Sequence, residues 1–141
     1  MQKPFISIST DFGPGNKGLG VMRATILMIC PEAEIIDLAN DITGFDTTEG
    51  AKLLESVFYL QRGFHICVVD PGVGTKRRGI AIETGRGDFL IGPDNGVLIP
   101  ATRNTCASRS PPSSTEETFL RQSLRTSLPV FPQVRLGLRC L

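Results

Sequence analysis

The sequence predicts an α/β protein with a mainly parallel sheet flanked by helices, and three observations carry that expectation. Short apolar runs rich in β-branched residues alternate with helix-period stretches as far as about residue 100. Proline or glycine follows each helical stretch. Polar and glycine residues collect in the segments after the strand-like runs, as in "TDFGPGNKG", "ANDITGFDT" and "DPGVGTKRR". Strand–helix–strand repetition needs crossover connections, hence parallel pairing with helices on the faces. Open sheets of this kind bind ligands at the carboxyl ends of their strands.

Taken in order, "PFISIS" is a strand and "KGLGVMRATILMIC" a helix stopped by Pro31. "EIIDL" is a second strand, "TTEGAKLLESVFYLQ" a helix stopped near Gly63, and "HICVV" a third, buried strand. "GIAIET" and "DFLIG", separated by "GRG", form a hairpin beside the parallel strands. In "GPDNGVL", Asn95-Gly96 is the commonest hairpin-turn dipeptide, so turn-making is its first explanation.

A chain of 141 residues suits one folded unit. Its text changes near residue 101. Residues 1–101 hold 9 Lys+Arg and 12 Asp+Glu, whereas 102–141 hold 6 Arg and 2 Glu, with no Lys or Asp. The expected division is therefore an α/β domain over 1–101 and an unmatched segment over 102–141. That segment reads either as a disordered Ser/Pro/Arg-rich tail or as a stretch translated out of frame. The net charge of +1 and the lack of a basic stripe speak against nucleic acid or a membrane surface as partner. No apolar run is long enough to span a bilayer, so a soluble, cytoplasmic protein is expected. Cys30, Cys67, Cys106 and Cys140 form no C-x-x-C pair and read as buried or idle thiols, with no metal site indicated.

Gly13, Gly15 and Gly18 fall in the G-x-G-x-x-G spacing of a pyrophosphate cradle, and Asp37 could supply the acid that binds a ribose in such folds. Asp11, just ahead of the first glycine, would oppose a phosphate. It ends the first strand and suits either a turn or cap, or a carboxylate that accepts charge-assisted hydrogen bonds from a ribose diol. Asp70 ends the third strand, Pro71-Gly72 turns the chain, and Arg77 lies within loop reach. The pair is either structural or catalytic. His65, the only histidine, is read as structural.

The segments "TDFGPGNKG", "PEAEIIDLANDI", "DTTEGA", "VVDPGVGTKRR" and "GPDNG", in this order, resemble the N-terminal domain of the S-adenosylmethionine hydroxide adenosyltransferases, the superfamily of fluorinase and chlorinase. The resemblance covers residues 4 to about 100. It implies S-adenosylmethionine and water as substrates, adenosine and L-methionine as products, and no cofactor. It implies that Asp11 binds the ribose 2′- and 3′-hydroxyls, that Phe45 packs against the substrate, and that Asp70 and Arg77 help to position the attacking water. At Asp70 the fluorinase carries a tyrosine, and at Val73 a halide-contacting threonine. Both departures favour hydroxide over halide.

The resemblance also implies a homotrimer in which a β-barrel from one subunit closes the site of the next, and a third catalytic residue, a histidine, beyond the N-terminal domain. Nothing after residue 101 reads as that barrel, and no histidine follows His65. Half a site and impaired hydrolase activity are therefore expected. The alternatives are a non-catalytic adenosyl-binding fragment and a Rossmann-type dinucleotide domain, which leaves "DPGVGTKRR" and "GPDNG" unexplained.

Overall fold

The computed structural model describes residues 3–103. Five strands form one sheet: β1 (Phe5–Thr10), β2 (Glu34–Ala39), β3 (Phe64–Val68), β4 (Gly79–Glu83) and β5 (Phe89–Pro93). The helices α1 (Lys17–Ile29) and α2 (Thr47–Glu55) connect the parallel strands, and α3 (Ile99–Arg103) follows β5. The spatial order is β2-β1-β3-β5-β4, parallel throughout except for the antiparallel β4–β5 pair. The expected parallel sheet with an added hairpin is thus present, and β5 is the hairpin strand that joins it to β3.

Residues alternate in direction along β1, so Ile6 and Ile8 pack on one face with Met22 of α1, Phe64, Ile66, Val68 and Phe89. The other face is built on Cys67, Val69, Ile82 and Leu90 beneath Ala51 and Leu54 of α2 and Ala101 of α3. Strands buried on both faces read as near-continuous apolar runs, which is why β1 and β3 were legible. Ala101 is fully buried, so the described core continues through the residue at which the composition changes. The expected boundary at 101 falls inside α3, and residues 104–141 lie outside the described residues.

The second helix is shorter than its sequence pattern. Asp46 caps α2 by accepting hydrogen bonds from the Thr48 and Glu49 N–H groups at 2.9 and 3.0 Å. The α-helix ends at Glu55, and Ser56–Tyr59 tightens into a 3-10 turn. Arg86, from the β4–β5 turn, explains the stop. It donates to the carbonyls of Val57, Phe58 and Leu60 and so satisfies groups that would otherwise bond within a continuing helix.

From β1 the chain crosses over α1 to β2 on one side, then passes back over α2 to β3 on the other. The order therefore reverses between β1 and β3, which puts a topological switch point at their carboxyl ends. Asp11 and Asp70 lie there.

Candidate functional site

Asp11 follows the last residue of β1. Its Oδ2 accepts a hydrogen bond from the Phe45 N–H at 2.8 Å, across to the loop after β2. It therefore caps no helix of its own. Phe45 has φ 63°, the one non-glycine residue with a positive φ among those described. Such a conformation costs of order 1–2 kcal/mol in a non-glycine residue and persists where its surroundings hold it. Phe45 as a whole is 60% exposed, and the Asp11 carboxylate fixes its backbone.

Two of the three glycine amides in the loop that leads from Asp11 into α1 are already taken by protein acceptors. Gly13 and Gly15 take positive φ values, the Gly13 N–H donates to the Asn40 carbonyl at 2.7 Å, and the Gly18 N–H donates to Asn16 Oδ1 at 2.7 Å. A pyrophosphate cradle needs such amides unoccupied and aimed at the ligand. Asp37 pairs with Arg23 of α1 at 3.0 Å. The spacing of a dinucleotide fingerprint is present here without its amide geometry.

Asp70 lies just beyond β3, its side chain only 9% exposed. Its Oδ1 accepts the Gly72 N–H at 2.7 Å and stands 3.3 Å from Arg77 Nη1. The loop between them is bonded internally: Thr75 Oγ1 donates to the Gly72 carbonyl at 2.7 Å and accepts the Arg77 N–H at 3.3 Å. The expected Asp70–Arg77 pair is formed, with one end sheltered and the guanidinium 31% exposed. Val73, on the same loop, is 62% exposed. The Asp11 N–H donates to the Val68 carbonyl at 3.4 Å, so the stems that carry Asp11 and Asp70 are adjacent.

Asn95 was legible only as a turn former. The turn it makes leads from β5 into α3 rather than closing a hairpin, and the Asn95 Nδ2 donates to the Val69 carbonyl at 2.8 Å. No local pattern announces that contact, because its partner is 26 residues away.

His65 is buried and structural. Its Nδ1 lies 2.8 Å from Ser7 Oγ and its Nε2 3.2 Å from Asp88 Oδ1. Serine, histidine and aspartate in contact suggest nucleophilic catalysis by residue type. All three are sealed from solvent toward the amino ends of the strands, away from Asp11 and Asp70. Burial alone would push the Asp88 carboxyl up. Hydrogen bonds from His65, Arg86 and the Gly63 N–H, with the Arg86 charge, outweigh it and hold Asp88 well below the usual carboxylate range.

Cys67 is buried, and desolvation, with the Asp11 charge second, pushes its thiol up to about 12, which suits an inert core residue. Among the described residues no cluster of His, Cys, Asp and Glu could hold a metal ion, and no helix is long and apolar enough to cross a membrane.

The open α/β sheet carries acidic residues on two adjacent strand ends at its switch point, the place where sheets of the doubly wound class bind ligands. The chain belongs to the family described as the SAM hydroxide adenosyltransferase N-terminal domain, whose model matches residues 6–126. That match runs beyond residue 101. The chain is 40% identical over 99 residues to the (R)-S-adenosyl-L-methionine hydrolase of Salinispora arenicola, covering 70% of this chain and 38% of that protein. It is 40% identical over 98 residues to the protein of the same name from Methanocaldococcus jannaschii, covering 66% and 37%. A crystal structure of an uncharacterized conserved protein from Thermotoga maritima superposes with a TM-score of 0.67 at 32% identity, over 71% of this chain and 39% of that one. The chain thus spans less than two fifths of the length of these curated relatives.

Proposed function

We propose that this chain is the adenosyl-binding part of an S-adenosyl-L-methionine hydrolase, releasing adenosine and L-methionine. The observation that carries the reading is the placement of Asp11 and of the Asp70–Arg77 pair on adjacent strand ends at the switch point of the sheet. Asp11 has one oxygen committed to Phe45 and lone pairs left for a ribose diol, which is a neutral ligand that a carboxylate welcomes and a pyrophosphate is not. Phe45, joined to Asp11 through its backbone, exposes apolar surface to solvent.

In the reaction a water oxygen approaches C5′ opposite the sulfonium. The C5′–O bond forms as the C5′–S bond breaks, sulfur keeps the electron pair and leaves as the neutral thioether of methionine, and the proton of the water passes to solvent. No general acid is required, since the leaving group is already cationic. Asp70, sheltered and paired with Arg77, accepts a hydrogen bond from the water and orients it in line with the bond that breaks. The positive charge of the sulfonium is dispersed between sulfur and the attacking oxygen as the bonds exchange, so shielding from bulk water favours the step. Phe45 and Val73 are exposed beside the site, which suits coverage by another part of the assembly. A homotrimer with the site at the subunit interface, and a cytoplasmic place of action, belong to the same reading.

Calorimetry on the purified chain tests it, with adenosine, S-adenosylmethionine and NAD as ligands. Adenosine and S-adenosylmethionine should bind more tightly than NAD, and the reduced adenosine release expected of half a site should fall further on Asp70→Ala. Tighter binding of NAD would return the glycine loop to a dinucleotide role and overturn the proposal.

A further inference from the structure

We infer that Asn95 is a positioning residue for the Asp70–Arg77 pair, a role that rests on reading this pair as the group that orients water. The β3–β5 ladder ends at Ile66↔Ile91. Asp70 therefore stands four residues beyond the last rung, at the end of a strand that must hold a carboxylate to within a few tenths of an ångström to be useful in catalysis. The Asn95 side chain supplies the missing rung. Its Nδ2 donates to the Val69 carbonyl at 2.8 Å, while its Oδ1 accepts the Val97 N–H at 3.1 Å. Both ends of the amide are thus in use on the backbone, one on the stem of the Asp70 loop and one on the entry to α3.

The neighbouring residue holds the other stem of the same loop. Asp94 donates its N–H to the Arg78 carbonyl at 2.9 Å, and its carboxylate pairs with Arg78 Nη2 at 2.9 Å. Consecutive residues of one turn therefore grip the loop at Val69 and at Arg78, and Asp70, Gly72 and Arg77 lie between those two points. The Asp94–Arg78 ion pair is exposed and contributes little by itself. The Asn95 bond is half-buried and fixes the peptide adjoining Asp70. From the other side, the Asp11 N–H reaches the preceding carbonyl, Val68. Asn95 thereby ties the Asp70 loop to the same short piece of backbone that Asp11 touches.

The test uses the full chain and amide hydrogen exchange read by NMR, which does not depend on what the site binds. In the unsubstituted protein the Asn95 side-chain amide protons should exchange slowly and show a coupling across the hydrogen bond to the Val69 carbonyl. Side-chain protons exchanging at the rate of free solvent amides would overturn the inference without any variant. Asn95→Asp keeps the acceptor for Val97 and loses the donor to Val69. It should speed exchange of the Gly72 N–H, the donor to Asp70, by about tenfold, the size expected for one hydrogen bond, with the Ile66 and Leu90 amides unchanged. Asn95→Ala should do the same. Equal acceleration across β3 and β5 would mean that Asn95 supports the fold in general, and unchanged Gly72 exchange would mean that it does not hold the loop. Adenosine affinity, set by Asp11, should stay within about twofold in Asn95→Asp while adenosine release falls about tenfold or more. If the unsubstituted chain binds no adenosine, the functional reading fails and the exchange experiment still decides the role of Asn95.

Discussion

Arg77 lies against Gly72 to reach Asp70: a Cβ built on Gly72 would stand 2.5 Å from Arg77 Nη2 and 2.8 Å from its Cζ and Nε. The atoms in conflict are the far end of a flexible side chain, so the fold can give way cheaply where the ion pair cannot.

Gly72→Ala is therefore expected to leave thermal stability within about 0.5 kcal/mol, the range of a partly exposed pair, while moving the guanidinium off Asp70. Adenosine release should fall by about tenfold or more with the loss of that orientation, and the Arg77 Nε–H resonance should shift. An unshifted resonance would show that the guanidinium accommodates a methyl group in place.

Asp11 has two separable tasks. Asp11→Ala removes the acceptor that holds the strained Phe45 backbone and should cost about 1–2 kcal/mol in chemical denaturation. Asp11→Asn keeps an acceptor oxygen and should recover most of that stability, yet bind adenosine about tenfold more weakly, because a charge-assisted bond to the diol is lost. Equal adenosine affinity in Asp11→Asn and the unsubstituted chain would remove Asp11 from ribose recognition.

Acid should weaken the fold through Asp88. Its carboxyl is held below the usual range in the folded chain, so the stability it contributes is fully present above the ordinary aspartate value of about 4 and is lost as pH falls below it toward the folded value. Asp88→Asn should lower stability at pH 7 by roughly 2–4 kcal/mol, since it leaves Arg86 without its carboxylate. The same variant should flatten the stability loss between about pH 4 and pH 2. A variant whose acid profile runs parallel to that of the unsubstituted chain would assign the acid sensitivity to other carboxylates.

Arg86→Lys should not be conservative. A lysine has no planar fork with which to serve Asp88 and the carbonyls of Val57, Phe58 and Leu60 together, nor the same stacking on the Phe58 ring, 5.3 Å from the guanidinium carbon. Amides of residues 57–63 should lose protection by about tenfold ahead of those in β1. Uniform loss across the sheet would show that Arg86 is tied to the core rather than to that segment.

Element types and their order were decided by the sequence alone, because the periods of strand and helix are carried by near neighbours along the chain. The strands at β1, β2 and β3, the stop of the first helix before Pro31 and the polar loops after the strands follow from those local signals. So do Asp11 and Asp70 at strand ends, and the reach of Arg77 back to Asp70 within one loop. The tertiary structure decided everything that needs a partner far away in the chain. Arg86 ended the second helix at Glu55 where periodicity ran on to residue 61. Asn40 and Asn16 occupied amides that glycine spacing alone left open for a phosphate. His65 acquired Ser7, 58 residues away, and Asn95 acquired Val69, 26 residues away. The physical reason is that such contacts depend on which strands lie side by side. A strand order of β2-β1-β3-β5-β4 is a property of the packed sheet, and it brings Asp11, Asp70 and Asn95 to one edge only once the core beneath them has formed.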